Sequence, residues 1–468
     1  MMRLLERRLD LWLPGYAAGA LNRRRMRRWR SRHLTHVLFL ICDHFEPRHG
    51  IENPEQARAR LRAWHAGYRQ LQETCLQRCG LRPVHTWFYP PHHGSEHFAP
   101  LAHMAFDGLG EVELHFHHEH DTEESLRAKL TNALSDFRRA GLLLQSGDPP
   151  QRSFGFIHGD WALDNSAGGR YCGVNSELSL LQALGCWGDL TMPSGNVCQT
   201  RKINSIYYAI DDPHRPKSHD WGVDARAGTD SRAGLLMIQG PLALNFRAPG
   251  HPRIENASLT SSNWGRPDRI RPWLDCHVHV RGRPEWLFIK LHTHGAIERD
   301  FDALFGQKAL AMHQTLAAEL NDKRRYQLHY VTARQACNVI RAAEAGLDGN
   351  PEDFYDFRVP RQATSYYCLD VPHELCCCTS ERLVVRDISP GGTATLRLQT
   401  PRVSIAGPLR ACAVDQAASV VQLELHRTPD PAVLELQGRE PVAIEGGVLQ
   451  GSPGRLLLEP GASLRLRY

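Results

Sequence analysis

The chain has 468 residues, 42% hydrophobic and 23% charged, with a formal net charge of +5. That length exceeds one ordinary core and calls for two or three domains, and the composition excludes extended disorder. No apolar run approaches the roughly 20 residues of a bilayer span, and the charge is too unevenly spread to make the body a nucleic-acid-binding surface.

The imbalance sits at the start of the chain. Residues 1–34 carry ten Arg against Glu6 and Asp10, which leaves the remainder slightly acidic. The apolar stretch Leu9 to Leu13 is cut short by Pro14 and the Arg cluster follows it, which is not the order of a signal peptide. Leu4 to Leu21 is weakly amphipathic, and seven Arg lie between Arg23 and Arg32 with Trp29 among them. Residues 1–35 therefore read as a basic amphipathic leader suited to an anionic membrane surface, where each basic residue adds about 1 kcal/mol. The competing reading is a basic helix packed on the body; an RNA-binding arm ranks behind both. The expected location is the cytoplasm, with attachment to the membrane surface. The 13 Cys, an odd number without framework spacing, read as reduced thiols.

After the leader, Val37 to Ile41 is a continuous apolar run, the mark of a strand buried on both faces. Ala57, Leu61, Trp64, Tyr68, Leu71 and Cys75 recur at helical spacing between Pro54 and Cys79, and Gly80 is a stop. Strands are expected at Val84–Tyr89, Glu111–His117 and Ser153–Ile157. Helices are expected at Glu96–Phe106, Thr122–Ala140 and Leu178–Leu184. Further on come a strand at Trp286–Leu291, a helix at Phe301–Leu320, a strand at Tyr326–Val331 and a helix at Ala333–Ala345. This alternation argues for an α/β fold with a parallel sheet, open or closed to a barrel, over residues 36–360. From Pro360 the pattern changes to short alternating runs punctuated by Gly391-Gly392, Gly446-Gly447 and Pro460-Gly461. Residues 361–468 therefore read as a small all-β, sandwich-like domain.

The chemistry gathers at strand ends. Asp43-His44-Phe45-Glu46 closes the first strand, His115 and His117 close the third, and Lys290-Leu291-His292-Thr293-His294 closes Trp286–Ile289. Ligands in α/β folds collect at the carboxyl ends of such strands. Alternation puts Glu113, His115 and His117 on one face, so the two His point the same way. Asp121 follows His117 by four residues, and the Asp43-His44 pair arrives from the first strand. Imidazole with carboxylate suits Zn²⁺ or a similar divalent cation, so these residues propose a metal-dependent hydrolase. His92, His93, His97 and His103 are not placed by any strand end and read as surface or hydrogen-bonded core residues.

Residues from about 36 to 300 resemble the polysaccharide deacetylase family, carbohydrate esterases of the glycoside hydrolase/deacetylase barrel type. Val37–Pro47 resembles the first family motif, Thr86–Tyr89 the strand after it, and Gly110–His117 the second motif, which supplies metal-binding His. Phe156–Trp161 stands in the place of the third, Leu184–Pro193 resembles the stretch with an Asp after Leu-Gly-aromatic, and Lys290-Leu291-His292 resembles the last. The chain departs from the family in having Asp43-His44 for two adjacent Asp, Asp121 four residues after His117 where a His is usual, and His158 for an Arg. These departures mark a divergent branch.

The resemblance implies removal of an N-acyl group from a sugar or polysaccharide precursor of the cell surface. Asp43 would be the base and His292 the acid, with the metal held by three of His44, His115, His117 and Asp121. His158, Trp161, Asp164 and His294 would contact the sugar, and Arg201 and Asn204 would line a branch-specific cleft. Two other readings stand beside it. One is a glycoside hydrolase, which needs two carboxylates about 5–9.5 Å apart and would draw on Asp43, Glu46 and Asp160. The other is a non-catalytic carbohydrate-binding protein.

Overall fold

A computed structural model describes residues 7–143, 153–229 and 233–361, and beyond them 366–368, 374–378, 382–386, 388, 394–398, 403–415, 418–428 and 430–468. The chain divides into two compact units. One comprises Met1–His93, Leu109–Thr131 and Asp148–Pro360, the other Gly94–Gly108, Asn132–Gly147 and Arg361–Tyr468.

The first unit is built on a mainly parallel sheet. Its strands are β1 (Thr35–Phe45), β2 (His85–Tyr89), β3 (Gly110–Phe116), β4 (Phe154–His158), β5 (Cys186–Asp189), β6 (Ile206–Ala209), β7 (Val223–Asp224) and β8 (Leu235–Ile238). After a hairpin of β9 (Ala243–Asn245) and β10 (Arg253–Glu255) come β11 (Ser258–Leu259), β12 (Trp286–Gly295) and β13 (Tyr326–Tyr330). Pairing runs β11-β12-β1-β2-β3-β4-β5-β8-β6-β7, with β13 beside the first half of β1. Every pair from β11 through β5 to β8 is parallel, and β6 and β7 close the path antiparallel. Its two ends, β11 and β7, do not pair with each other among the described residues. The sheet is therefore an open path of hydrogen bonds rather than the closed barrel expected. The physical reason lies in the segment from 190 to 260, whose strands are only two to four residues long.

Val37 to Cys42 is at most 2% exposed, as a strand covered on both faces requires. The helix Pro54–Cys79 forms as its pattern predicts. Asn53 accepts from the Glu55 amide at 2.9 Å, Pro54 occupies the first turn, and Gly80 ends the helix with φ 67°. It buries Leu61, Trp64, Tyr68 and Leu71. The helix expected over 301–320 is broken at Gly306 into Phe301–Leu304 and Gln307–Leu320. There the Asp302 carboxylate fills the space that a Cβ at position 306 would need.

The leader forms two helices, Leu9–Ala18 and Ala20–Arg30. Trp12 is wholly buried and Arg30 is 2% exposed. The Arg30 guanidinium donates to Asp275 at 2.8 Å and lies 3.0 Å from His277 Nδ1, and Arg27 pairs with the other Asp275 oxygen at 2.5 Å. Part of the leader thus packs on the body, while Arg24, Arg25, Arg28 and Arg32 remain exposed. No described helix is long and apolar enough to cross a membrane.

The second unit contains two six-stranded antiparallel sheets. In the last strand, Leu464 and Leu466 are buried between exposed Ser463, Arg465 and Arg467, the period-two pattern expected of a half-buried strand.

Candidate metal centre

Four strands deliver their last residues to one place. In the β1–β12 register His44 lies beside His294 and Cys42 beside His292; in the β3–β4 register His115 lies beside Ile157. Alternation along β1 turns His44 and Glu46 to one face and Asp43 to the other. The Glu46 carboxylate thereby meets the two His of β3. His115 Nε2 and His117 Nε2 are 2.9 Å apart, and Glu46 Oε1 lies 3.2 Å from the second and 3.8 Å from the first.

The other nitrogen of each ring is taken. His115 Nδ1 faces the carbonyl of Ile157 at 3.0 Å, and His117 Nδ1 faces the Asp160 carboxylate at 3.2 Å. Both partners accept, so in the neutral rings each Nδ1 carries the proton and each Nε2 presents a lone pair to the shared space. Two lone pairs and a carboxylate converging at these distances form a set suited to a divalent cation, with both imidazoles oriented from behind. Residues that fit a metal are therefore present, and Glu46, His115 and His117 are the three that would hold it.

The electrostatics agree. Burial, with His117 next to it, pushes the His115 pKa down to about 3. Burial also disfavours charge on His117, but its hydrogen bonds to Asp160 and Glu46 outweigh that and raise it to about 9. Burial would lift Glu46, yet His117 and His294 hold it far below the usual carboxylate range. The space between these groups favours positive charge. It is also reached from one side: the His117 and His294 side chains are 30% and 28% exposed, against 1% for His115.

Around this set stand His44, His292, His294 and Trp161. The His44 ring centroid is 4.7 Å from His115 and 4.8 Å from His294, and Trp161 packs against His44, His292 and His294 at 5.5–6.0 Å. His294 Nδ1 lies 3.4 Å from Glu46 Oε2. His44 Nε2 and His292 Nδ1 are buried without a hydrogen-bond partner. Burial, reinforced by neighbouring positive charge, keeps both rings neutral well below the usual histidine range.

The other expected residues lie elsewhere. The Asp43 oxygens accept from Tyr68 Oη at 2.6 Å and from the Gly295 amide at 2.5 Å, and burial raises its pKa to about 7. The expected ligand Asp121 is drawn away by Lys129, at 2.7 Å, and by His118. His158 faces His118 and Glu177 rather than the Glu46 group. Asp164 accepts from the Ser218 amide at 2.6 Å, and burial lifts its pKa to about 8. Arg201 lies against Asp220 and Trp221, and Asn204 bridges both backbone groups of Leu242. A cleft of about 570 Å³ lined by Arg60, Trp64, Glu298 and Phe301 contains none of these groups.

Glu46 and Asp160, which the sequence offers only as carboxylates for a glycoside hydrolase, lie here beside the two His of β3. The same alternation that paired His115 with His117 pairs His44 with Glu46. Asp160 gave no local signal, because a left-handed turn (φ 52°) aims it at His117.

No family model matches this chain, and no curated protein matches it in sequence. Among solved structures, a Parabacteroides distasonis protein provisionally assigned as a glycoside hydrolase/deacetylase is similar over 88% of this chain and 86% of its own, at 12% identity and a TM-score of 0.35. With so distant a likeness, function rests on the geometry of the site.

Proposed function

We propose that this protein is a metal-dependent hydrolase that removes an N-acyl group from a sugar or polysaccharide precursor. The observation that carries the metal is the facing pair of His115 and His117 Nε2 atoms beside Glu46 Oε1. A divalent cation held there by Glu46, His115 and His117 would supply Lewis acidity and a source of nucleophile near neutral pH. Asp160 and the Ile157 carbonyl keep the two imidazoles in register. His294, half-open to solvent and beside Glu46, is placed to take up or return a proton, and neutral His44 stands behind it. Trp161 forms an aromatic wall against which a sugar face can stack. Asp43, tied to Tyr68 and Gly295, braces the end of β12 in this reading and is not the base. The motif resemblance supports a sugar amide as substrate, and the convergence of Glu46, His115 and His117 supports a metal.

Chelation of the purified full-length protein should abolish release of acetate from N-acetylated oligosaccharides, and Zn²⁺, Co²⁺ or Mn²⁺ should restore it. Full activity in metal-free protein would overturn the proposal and favour a carboxylate-based glycosidase. The pH dependence of binding has a defined sign. A ligand must be neutral, and His117 holds a proton below about pH 9. Apparent metal affinity should therefore rise with pH, by up to about tenfold per unit, and level off above about 9, with one proton released per metal bound below that point. Calorimetry in buffers of differing ionisation enthalpy reads the proton directly.

In the same reading the leader holds the enzyme on an anionic membrane surface. Because Trp12 and Arg30 are buried, deleting the whole leader would damage the fold; the exposed arginines test the idea more cleanly. Reversing Arg24, Arg25 and Arg28 to Glu should weaken binding to phosphatidylserine vesicles at least about 100-fold, at roughly 1 kcal/mol per charge. Activity on a soluble substrate should stay unchanged. Vesicle binding that survives the triple reversal rules the membrane role out.

A further inference from the structure

A second cluster of ligand-type side chains lies behind the first. His118 follows His117 at the end of β3, and His158 is the last residue of β4. His118 Nε2 and His158 Nε2 are 3.0 Å apart, and Glu177 Oε1 lies 3.2 Å from the first and 3.4 Å from the second. Cys172 Sγ is 3.6 Å from the other Glu177 oxygen. The two His and the Glu have wholly buried side chains, and Cys172 is also 0% exposed.

The protons are decisive here too. His118 Nδ1 lies 3.1 Å from Asp121 Oδ2, a carboxylate itself paired with Lys129, and His158 Nδ1 lies 2.5 Å from the Gly159 carbonyl. Both partners accept, so in neutral rings both Nε2 atoms are lone pairs. Two lone pairs and a carboxylate oxygen then face one another without a donor among them, in a space closed to solvent. Burying three mutually repelling acceptors is costly unless a cation lies between them.

We propose that His118, His158, Glu177 and Cys172 form a second, closed metal site that takes Zn²⁺ or a similar thiolate-tolerant divalent cation. Four protein donors of N, N, O and S type leave no position for substrate, the arrangement of a structural rather than a catalytic metal. Its place in the chain says what it holds. The loop from Gly159 to Ser176 carries Asp160 and Trp161, both in left-handed conformation, together with Asp164, Asn165 and Tyr171. His158 anchors the start of this loop and Cys172 and Glu177 its end, and Glu177 also accepts from the Asp164 amide at 2.6 Å. The inner ion thus braces the loop that orients His117 and walls the outer site.

The test uses the full chain loaded with Co²⁺, with metal counted by mass spectrometry and the thiolate-to-cobalt band read in the near ultraviolet. Wild type should hold two ions per chain and show the band. His117→Ala should keep one ion and the band. Cys172→Ser should lose the band while its outer ion remains. The conservative Cys→Ser change guards against unfolding, and the optical band reports the inner site without relying on activity. A single ion in wild type that disappears with His117→Ala overturns the proposal, as does full cobalt loading without a band. Either result stands whether or not the outer site hydrolyses a sugar amide.

Discussion

Glu46→Gln should empty the outer site and lower hydrolytic turnover by on the order of 10²–10³. Gln keeps the volume of Glu46 but loses its charge and places an NH₂ donor among the lone pairs. Metal assistance contributes several kcal/mol to the transition state, and each 1.36 kcal/mol is tenfold in rate. Losing roughly 3–4 kcal/mol gives the stated range. The measurement is metal content beside turnover, with circular dichroism to show that the fold persists. Asp43→Asn is the informative comparison. Asp43 bonds Tyr68 and Gly295 and does not join the ligand set, so this variant should keep its metal and lose stability instead. Loss of metal in Asp43→Asn with retention in Glu46→Gln would overturn the ligand set of Glu46, His115 and His117.

What was legible in the sequence follows from the range of the interactions. The helix Pro54–Cys79 could be read to the residue because its signals are local: Pro at the start, an apolar stripe at helical spacing and a Gly stop. The pairing of His115 with His117 was legible because a strand has a period of two. Applied to β1, the same rule separates Asp43 from His44 and joins His44 to Glu46, whereas the adjacent acids of the resembling family point to the pair Asp43-His44. Asp121 sat at a plausible spacing from His117, yet the choice between that metal and Lys129 depends on the direction in which the helix Glu123–Arg139 leaves the strand. His118 with His158 was beyond local reading, because it depends on the register Phe116↔His158 between strands some 40 residues apart in the chain. Sheet closure is likewise a long-range property, and strands of two to four residues between 190 and 260 leave no periodicity to detect.

Gly159→Ala should weaken the outer site without a change in any ligand. A Cβ at position 159 would meet His117 Cγ and Nδ1 more closely than real Cβ contacts allow. Gly159 is not among the glycines with positive φ, so the backbone accepts Ala and the effect is steric. The His117 ring cannot yield freely, because Asp160 holds one nitrogen and Glu46 and His115 face the other. Displacing it opens the hydrogen bond that sets its tautomer, a change that typically costs 10- to 100-fold in metal affinity. Overpacking should also cost about 1–3 kcal/mol of stability. Gly168→Ala is the control: its φ of 69° makes Ala strained, but nothing lies within 4 Å of the added Cβ, so metal affinity should hold. The inner site depends on His158 and not on the His117 ring, so its thiolate band should survive Gly159→Ala. Equal outer-site affinity in Gly159→Ala and wild type would show that His117 is not held rigidly by Asp160, and the orienting role assigned to that carboxylate would fall.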